Sequence, residues 1–153
     1  MDLSPGDIVE VETGSGRAFV QVTHRHVTYP EVIRVIDWSG GSTEVSDLAG
    51  SGTRFIAMLP LAAALQSGRI RGRKIGTAAL PERHRAFPTF ATPILDKQEG
   101  VRSKVAYWWL WDGDGLRYST EPEDGAEGLP PREVMSVERF MAMLRDDGGQ
   151  PHE

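Results

Sequence analysis

Two histidines separated by one residue, His24 and His26, have the residue type and spacing that could support chemistry. In an extended strand, residues two apart lie on the same face, so both imidazoles could bind one metal ion or serve acid–base catalysis. A third and a fourth ligand are not evident at metal-site spacing, and the His-Glu-x-x-His motif is absent. Both histidines also continue the apolar face of Val20 and Val22, which favours a structural or partner-facing role. The sequence therefore predicts no metal site.

Other chemical motifs are weaker. The segment Asp112-Gly113-Asp114-Gly115 is similar to part of a calcium loop, but strands flank it instead of helices, and Asp-Gly is typical of hairpin turns. The glycine-rich segments lack the spacing of phosphate-binding loops, and no G-x-S-x-G elbow occurs. The chain has no cysteine, which excludes thiol nucleophiles, zinc–thiolate sites and iron–sulfur clusters. The sequence singles out no catalytic residue and no cofactor.

Aromatic residues are concentrated in one short segment that could bind a partner. Three of the four tryptophans lie within residues 108–111. Strand alternation places Tyr107, Trp109 and Trp111 on one face, and aromatic side chains are frequent anchors at protein interfaces. The alternative to partner binding is that a helix or loop of the same chain covers the aromatic face. An acidic stretch follows this segment in the sequence. The predicted partner-binding residues are Tyr107, Trp109, Trp111, Glu121, Glu123 and Asp124.

The charge distribution argues against a general nucleic-acid binder. The chain has 17 Lys and Arg against 22 Asp and Glu, a formal net charge of -5. A basic run at residues 69–74 could nevertheless bind nucleic acid, with the aromatic residues stacking on bases. The simpler interpretation of the basic and acidic runs is that they are solvated surface segments that pair with one another. The second interpretation is that they form a docking face for a charged protein.

Hydrophobic patterns predict a mainly β chain that ends in a helix. Strands are predicted at 8–11, 17–27, 32–36 and 54–59, with an exposed edge strand at 69–75 and an aromatic hairpin at 105–119. Helices are predicted from Pro60 to a stop at Gly68, and from an N-cap at Ser136, with Val137, Phe140, Met141 and Leu144 as its apolar stripe. Residues 77–100 contain three prolines and are predicted to form a long surface connection, and the segment between two loop signals at 39–52 is expected to be irregular.

These elements predict an α+β, mainly β fold. The expected architecture is a strongly bent antiparallel sheet, or a partial barrel of the SH3-like kind, with one or two covering helices. A length of 153 residues, 39% hydrophobic and 25% charged, predicts one globular domain over residues 1–147 with a frayed tail at 148–153. The absence of a transmembrane span, of a signal-peptide pattern and of cysteine predicts a cytoplasmic protein without membrane contact.

Two sets of residues resemble a known family. The opening Gly6-Asp7-Ile8-Val9-Glu10-Val11 with its Phe19-Val20-Gln21-Val22 strand, and the later Trp108-Trp109-Leu110-Trp111-Asp112-Gly113, resemble the immunity protein 26 family of bacterial polymorphic-toxin systems. The resemblance covers residues 5–37 and 88–119. It implies a cytosolic antitoxin that binds the catalytic domain of a secreted toxin and has no catalytic residues of its own. The opening also resembles the first strands of SH3-like barrels, including endoribonuclease toxins of the MazF type, and that likeness ends after the second strand.

The sequence thus predicts a non-enzymatic binding protein, an immunity protein that neutralises a toxin by occlusion. Negative net charge would suit a basic partner such as a nuclease. One alternative is a small-barrel ribonuclease or hydrolase that uses His24 or His26 with an arginine such as Arg71. The other is a nucleic-acid-binding module that uses Arg69–Lys74.

Overall fold

A computed structural model describes residues 2–96, 104–119 and 129–147. As predicted, the protein is α+β and mainly β, with antiparallel sheets that are not closed into a full barrel. The elements in chain order are β1 (Asp7–Thr13), β2 (Gly16–His24), β3 (Val32–Ile36), α1 (Val45–Ala49), β4 (Thr53–Met58), α2 (Leu61–Ser67), β5 (Gly72–Thr77), a 3₁₀ turn (Glu82–His84), β6 (Phe90–Asp96), β7 (Lys104–Trp111), β8 (Leu116–Ser119) and α3 (Val137–Asp147).

The chain divides into two compact units. The first comprises residues 1–86 and 134–153, and the second comprises residues 87–133. The expected boundaries of one domain over 1–147 stay a prediction, and the expected frayed tail at 148–153 lies outside the described residues.

The first unit contains a five-stranded antiparallel sheet in the order β4-β3-β2-β1-β5. Strands β1 and β2 form a hairpin in which Thr13 pairs with Gly16. The register shifts once in each of the β1–β5, β2–β3 and β3–β4 pairs, and such irregularities bend the strands that carry them. Strand β5 lies at the edge of this sheet, as predicted for the basic segment.

Helices cover both faces of this sheet. Residues Val9, Val20 and Val35 belong to one core, with α2 and α3 packed on it. The other core joins Ile8, Phe19 and Ile36 to Leu48 and Ala49 of α1. Strand β3 is therefore buried throughout, and β1 and β2 are buried along most of their length, whereas β5 at the edge is partly exposed.

Helix α3 begins as its sequence predicts. The hydroxyl of Ser136 accepts a hydrogen bond from the backbone N–H of Arg139 at 3.1 Å, which is the geometry of an N-cap. Of the predicted stripe, Val137, Phe140 and Leu144 are buried in the first core, and Met141 is partly buried against it.

The second unit contains a three-stranded antiparallel sheet in the order β6-β7-β8. The predicted hairpin is confirmed, with Trp109 opposite Tyr118 and Trp111 opposite Leu116. Its turn is fixed by the Asp112 carboxylate, which accepts hydrogen bonds from the backbone N–H groups of Asp114 and Gly115 at 3.0 and 2.9 Å. These bonds hold the pKa of Asp112 below its usual value.

Two expectations about irregular segments are wrong. Residues 77–100 are not one surface connection, because they contain the 3₁₀ turn and β6. Pro93 lies within β6, opposite Trp108, and the sheet accommodates it because β6 is an edge strand, where a missing N–H need not break a ladder. The segment expected to be irregular contains α1, a helix of five residues whose Leu48 and Ala49 are buried.

Candidate functional site

The largest fully buried side chain described in the protein is an arginine, Arg34 in the middle of β3. Its guanidinium donates hydrogen bonds to Gln21 Oε1 at 2.9 Å, Thr53 Oγ1 at 2.9 Å and the carbonyl of Ala49 at 2.8 Å. Nη1 also lies 3.2 Å from the carbonyl oxygen of Ser51. Burial, and then the charge of Arg83, lowers the pKa of Arg34 to about 10, so it remains a cation at neutral pH.

A glutamine on the neighbouring strand orients this arginine. Gln21 is fully buried and lies directly opposite Arg34 in the β2–β3 register. Its amide nitrogen donates to the carbonyls of Gly6 and Ala78 at 3.2 and 3.1 Å. Because both donors are used there, the amide oxygen faces Arg34 and accepts from Nε.

A histidine lies on the other side of Thr53. Its Oγ1 accepts from Arg34 and lies 2.8 Å from Nε2 of His84. A guanidinium can only donate, and the Thr53 hydroxyl has one proton and two lone pairs, so it can either donate to Nε2 or accept from it. Burial lowers the pKa of His84 below its usual 6.5, and the charges of Arg34, Arg83 and His24 lower it further.

A second arginine completes what we call the basic cluster, formed by Arg34, Arg83 and His84. Nη2 of Arg83 donates to the carbonyl of Ser51 at 3.2 Å, and Nη1 of Arg34 reaches the same oxygen. Two guanidinium groups therefore meet at one acceptor. Among the described residues no carboxylate forms an ion pair with any member of the cluster, although Glu82 is adjacent in sequence and exposed.

The two histidines of the predicted pair have separate surroundings. The ring nitrogens of His24 lie 3.0 Å from Thr23 Oγ1 and 2.9 Å from the carbonyl oxygen of Arg85. His26 lies beyond the end of β2, where Nδ1 accepts from the N–H of Thr28 at 3.0 Å. The shared strand face on which their pairing depends thus ends at His24. In the ranges that the structure describes, no three His, Asp or Glu residues are grouped to hold a metal ion.

One face of the second unit exposes large apolar side chains, and we call Trp109, Leu116 and Tyr118 the aromatic face. Cross-strand pairing places Trp109 beside Tyr118, with ring centroids 5.8 Å apart in an edge-to-face arrangement. Tyr118 is 62% exposed and Leu116 is 50% exposed, whereas Trp109 is half-buried. This face offers two accessible side chains and a half-buried indole.

The predicted partner-binding residues are not all accessible, although Trp111 shares the strand face of Trp109 and lies opposite Leu116. Trp111 is only 7% exposed, because Phe87 and Phe90 pack on its ring with centroids 5.4 and 5.7 Å away, and Arg132 lies over it. Tyr107 belongs to β7, opposite Ile94. The remaining three, Glu121, Glu123 and Asp124, lie outside the described residues.

The basic run at residues 69–74 is largely paired with carboxylates. Arg69 lies 3.1 Å from Glu138, and Lys74 lies 3.4 Å from Asp7. Arg73 lies 3.4 Å from Glu10, which also binds Arg17 at 3.0 Å. These partners belong to β1 and α3, and the acidic stretch with which pairing was expected lies beyond the described ranges.

Sequence reasoning missed the basic cluster and the exposed side of β8. Arg34 lies within the segment Val-Ile-Arg-Val-Ile. A single cation in an otherwise β-branched strand was the one sequence signal that could have indicated the cluster. The basic triplet at residues 83–85 was visible as a run, but its meeting with Arg34 depends on the β3–β4 pairing and on the loop before β4. Tyr118 could have been found from the hairpin register, since it lies opposite Trp109.

The comparisons with known proteins add no assignment. The helices described in the structure include none with the length and apolar character needed to cross a membrane. Searches of protein-family models, of curated proteins and of solved structures find no match to this chain. The resemblance to the immunity protein 26 family therefore stays a prediction.

Proposed function

We propose that this chain is a non-enzymatic binding protein that docks a protein partner on the aromatic face. The observation that carries the proposal is the exposure of Leu116 and Tyr118 beside Trp109 on one surface of a small sheet. Tyrosine and tryptophan supply large contact area with few rotatable bonds, so ordering them on binding costs little entropy.

The partner that we propose is the catalytic domain of a bacterial toxin, and the chain acts as its cytosolic immunity protein by occlusion. The similarity of residues 5–37 and 88–119 to the immunity protein 26 family supports this choice. The net charge of -5 would speed association with a basic enzyme such as a nuclease. Occlusion requires no catalytic residue in the chain itself.

A binding measurement on purified proteins tests this function. The product of a toxin gene adjacent to the gene for this chain is titrated against the full chain at low and moderate salt. We expect saturable binding that Leu116→Lys and Tyr118→Lys each weaken about tenfold or more, the loss typical of an interface hot spot. Val27→Lys is the matched control, because Val27 is another exposed apolar residue but lies in the first unit.

Two outcomes would contradict the proposal. One is the absence of binding at both salt concentrations, and the other is an equal loss of affinity in the Val27→Lys control. Circular dichroism verifies that each lysine variant is folded. A hydrolytic or ribonuclease activity of the purified chain that His24→Ala abolishes would instead support the enzyme alternative.

A further inference from the structure

We propose that the basic cluster of Arg34, Arg83 and His84 binds a phosphate group, either inorganic phosphate or the phosphate of a small molecule. This site lies in the first unit and is distinct from the aromatic face of the second unit. It adds a small-molecule ligand to a protein whose proposed partner is another protein, and it does not depend on that proposal.

The first support is the convergence of positive groups around one short backbone segment. Arg34 and Arg83 share the carbonyl oxygen of Ser51 at 3.2 Å each, and Arg34 and His84 share Oγ1 of Thr53. Like charges held this close repel one another, and a nearby carboxylate normally offsets the repulsion. In the described part of the chain no carboxylate pairs with the cluster, so an anion from solution would stabilise it.

The second support is the supply of hydrogen-bond donors. Arg83 is exposed and uses one donor for Ser51, which leaves most of its guanidinium fork for a tetrahedral oxyanion. His84 is half-buried, and its Nδ1 can donate to an anion in the Nδ1–H tautomer and in the imidazolium form. Arg34 is buried and its donors face protein acceptors, so it contributes positive potential to the site without contacting the anion.

The site couples phosphate binding to protonation of His84. The cationic or titratable groups around this imidazole are Arg34 from β3, Arg83 from the 3₁₀ turn and His24 from β2. They disfavour the imidazolium in the unliganded protein. A bound phosphate dianion reverses the sign of the local field, so phosphate binding should raise the pKa of His84 and phosphate affinity should increase as pH falls.

Calorimetry with inorganic phosphate tests the site in the full chain. Phosphate is titrated at constant ionic strength, with chloride as the reference anion. We expect saturable binding that Arg83→Ala and His84→Ala each weaken about tenfold or more, as for the loss of a charge-assisted hydrogen bond. Arg71→Ala is the matched control, because it removes the same charge from another exposed arginine.

A proton NMR titration of the histidines gives a second measurement. If the cluster were purely structural, added phosphate would not change this titration. We expect the pKa of His84 to rise when phosphate is added. Adenosine monophosphate in place of phosphate distinguishes the source, because tighter binding indicates a nucleotide and equal binding indicates the phosphate alone. The proposal is overturned if phosphate binding does not saturate, or if Arg71→Ala weakens it as much as Arg83→Ala.

Discussion

A buried arginine without a carboxylate is stable only if its donors find other acceptors. Arg34 meets this condition with a side-chain amide, a hydroxyl and backbone carbonyls between Ala49 and Thr53. Desolvation of a charge is costly, and hydrogen bonds to neutral dipoles offset part of it. The arginine in turn satisfies the carbonyls of the loop between α1 and β4, which holds Thr53 in reach of His84. The basic cluster is thus positioned by the buried Gln21 and by the partly buried Ser51 and Thr53.

The sequence could not predict this arrangement at the level of the residue. The β-branched residues of β3 indicate a strand, and they do not say whether both faces of the sheet are covered. A cation such as Arg34 in a half-exposed strand would point to solvent. It is buried because α1, an element that sequence patterns missed, covers the second face together with the loop that follows it.

A second buried charge, Asp7 at the start of β1, has the opposite sign and is fully satisfied. Burial alone would raise the pKa of Asp7. Hydrogen bonds from the hydroxyl of Thr77 at 2.7 Å and the N–H of Ser4 at 2.8 Å, with Lys74 nearby, instead hold it below its usual 3.8. The carboxylate links the turn before β1 to the edge strand β5.

Stability should therefore depend on Asp7 at low pH. As pH falls through 3.8 and below, the unfolded state takes up the proton first, so the free energy of unfolding decreases. We expect Asp7→Asn to lower that free energy by about 1–3 kcal/mol at pH 7, the cost of losing a charged hydrogen-bond acceptor. The variant should also flatten the pH dependence below about pH 4, because Asn does not titrate.

Urea unfolding at a series of pH values measures both effects. Asp2→Asn serves as the control, because Asp2 is exposed and its substitution removes the same charge near the same end of the chain. An unchanged slope in Asp7→Asn, or an equal change in the control, would contradict the assignment.

At the scale of elements, local signals were predictable and packing-dependent ones were not. The β7–β8 hairpin and α3 carry their own turn and cap residues, so sequence alone locates them. Strand β6 contains Pro93, which argues against a strand, and it forms because β7 offers a partner edge. Helix α1 has only five residues and depends on the burial of Leu48 and Ala49, since so short a helix is not stable in isolation.

The hairpin turn offers a sharp test of packing in the second unit. Gly113 has φ of +91°, and a Cβ added there would lie 2.7 Å from the ring of Phe87, which packs against Trp111. We expect Gly113→Ala to lower the free energy of unfolding by about 1–3 kcal/mol, from backbone strain and overpacking together. The near-ultraviolet circular dichroism of the tryptophans should change with it.

The neighbouring glycine provides the control. Gly115 lies in the same turn, and a Cβ added there meets nothing within 4 Å. Gly115→Ala should change the unfolding free energy by less than about 0.5 kcal/mol, as surface substitutions usually do. Equal effects of the two alanines would show that the ring of Phe87 does not limit this turn.

At the scale of the whole molecule, charge pairing matters more than charge runs. The basic run on and before β5 suggested a nucleic-acid surface when read along the sequence. In the fold, Glu10, Asp7 and Glu138 lie beside its cations. Hydrogen bonding from Arg17, and then its charge and that of Arg73, holds the pKa of Glu10 below its usual 4.5 and keeps it ionised. This pairing reduces the local positive potential, and such long-range contacts are not visible in sequence order.

We therefore expect weak binding of nucleic acid by the intact chain. A single-stranded oligonucleotide of about 20 bases should bind no more tightly than about 100 µM at physiological salt, the weak end of non-specific binding. The double variant Glu10→Gln with Glu138→Gln releases Arg73 and Arg69 and should bind more tightly, with an affinity that falls as salt rises. Fluorescence anisotropy of a labelled oligonucleotide measures both proteins. Tight, salt-dependent binding by the unaltered chain would show that the paired cations still form a nucleic-acid surface.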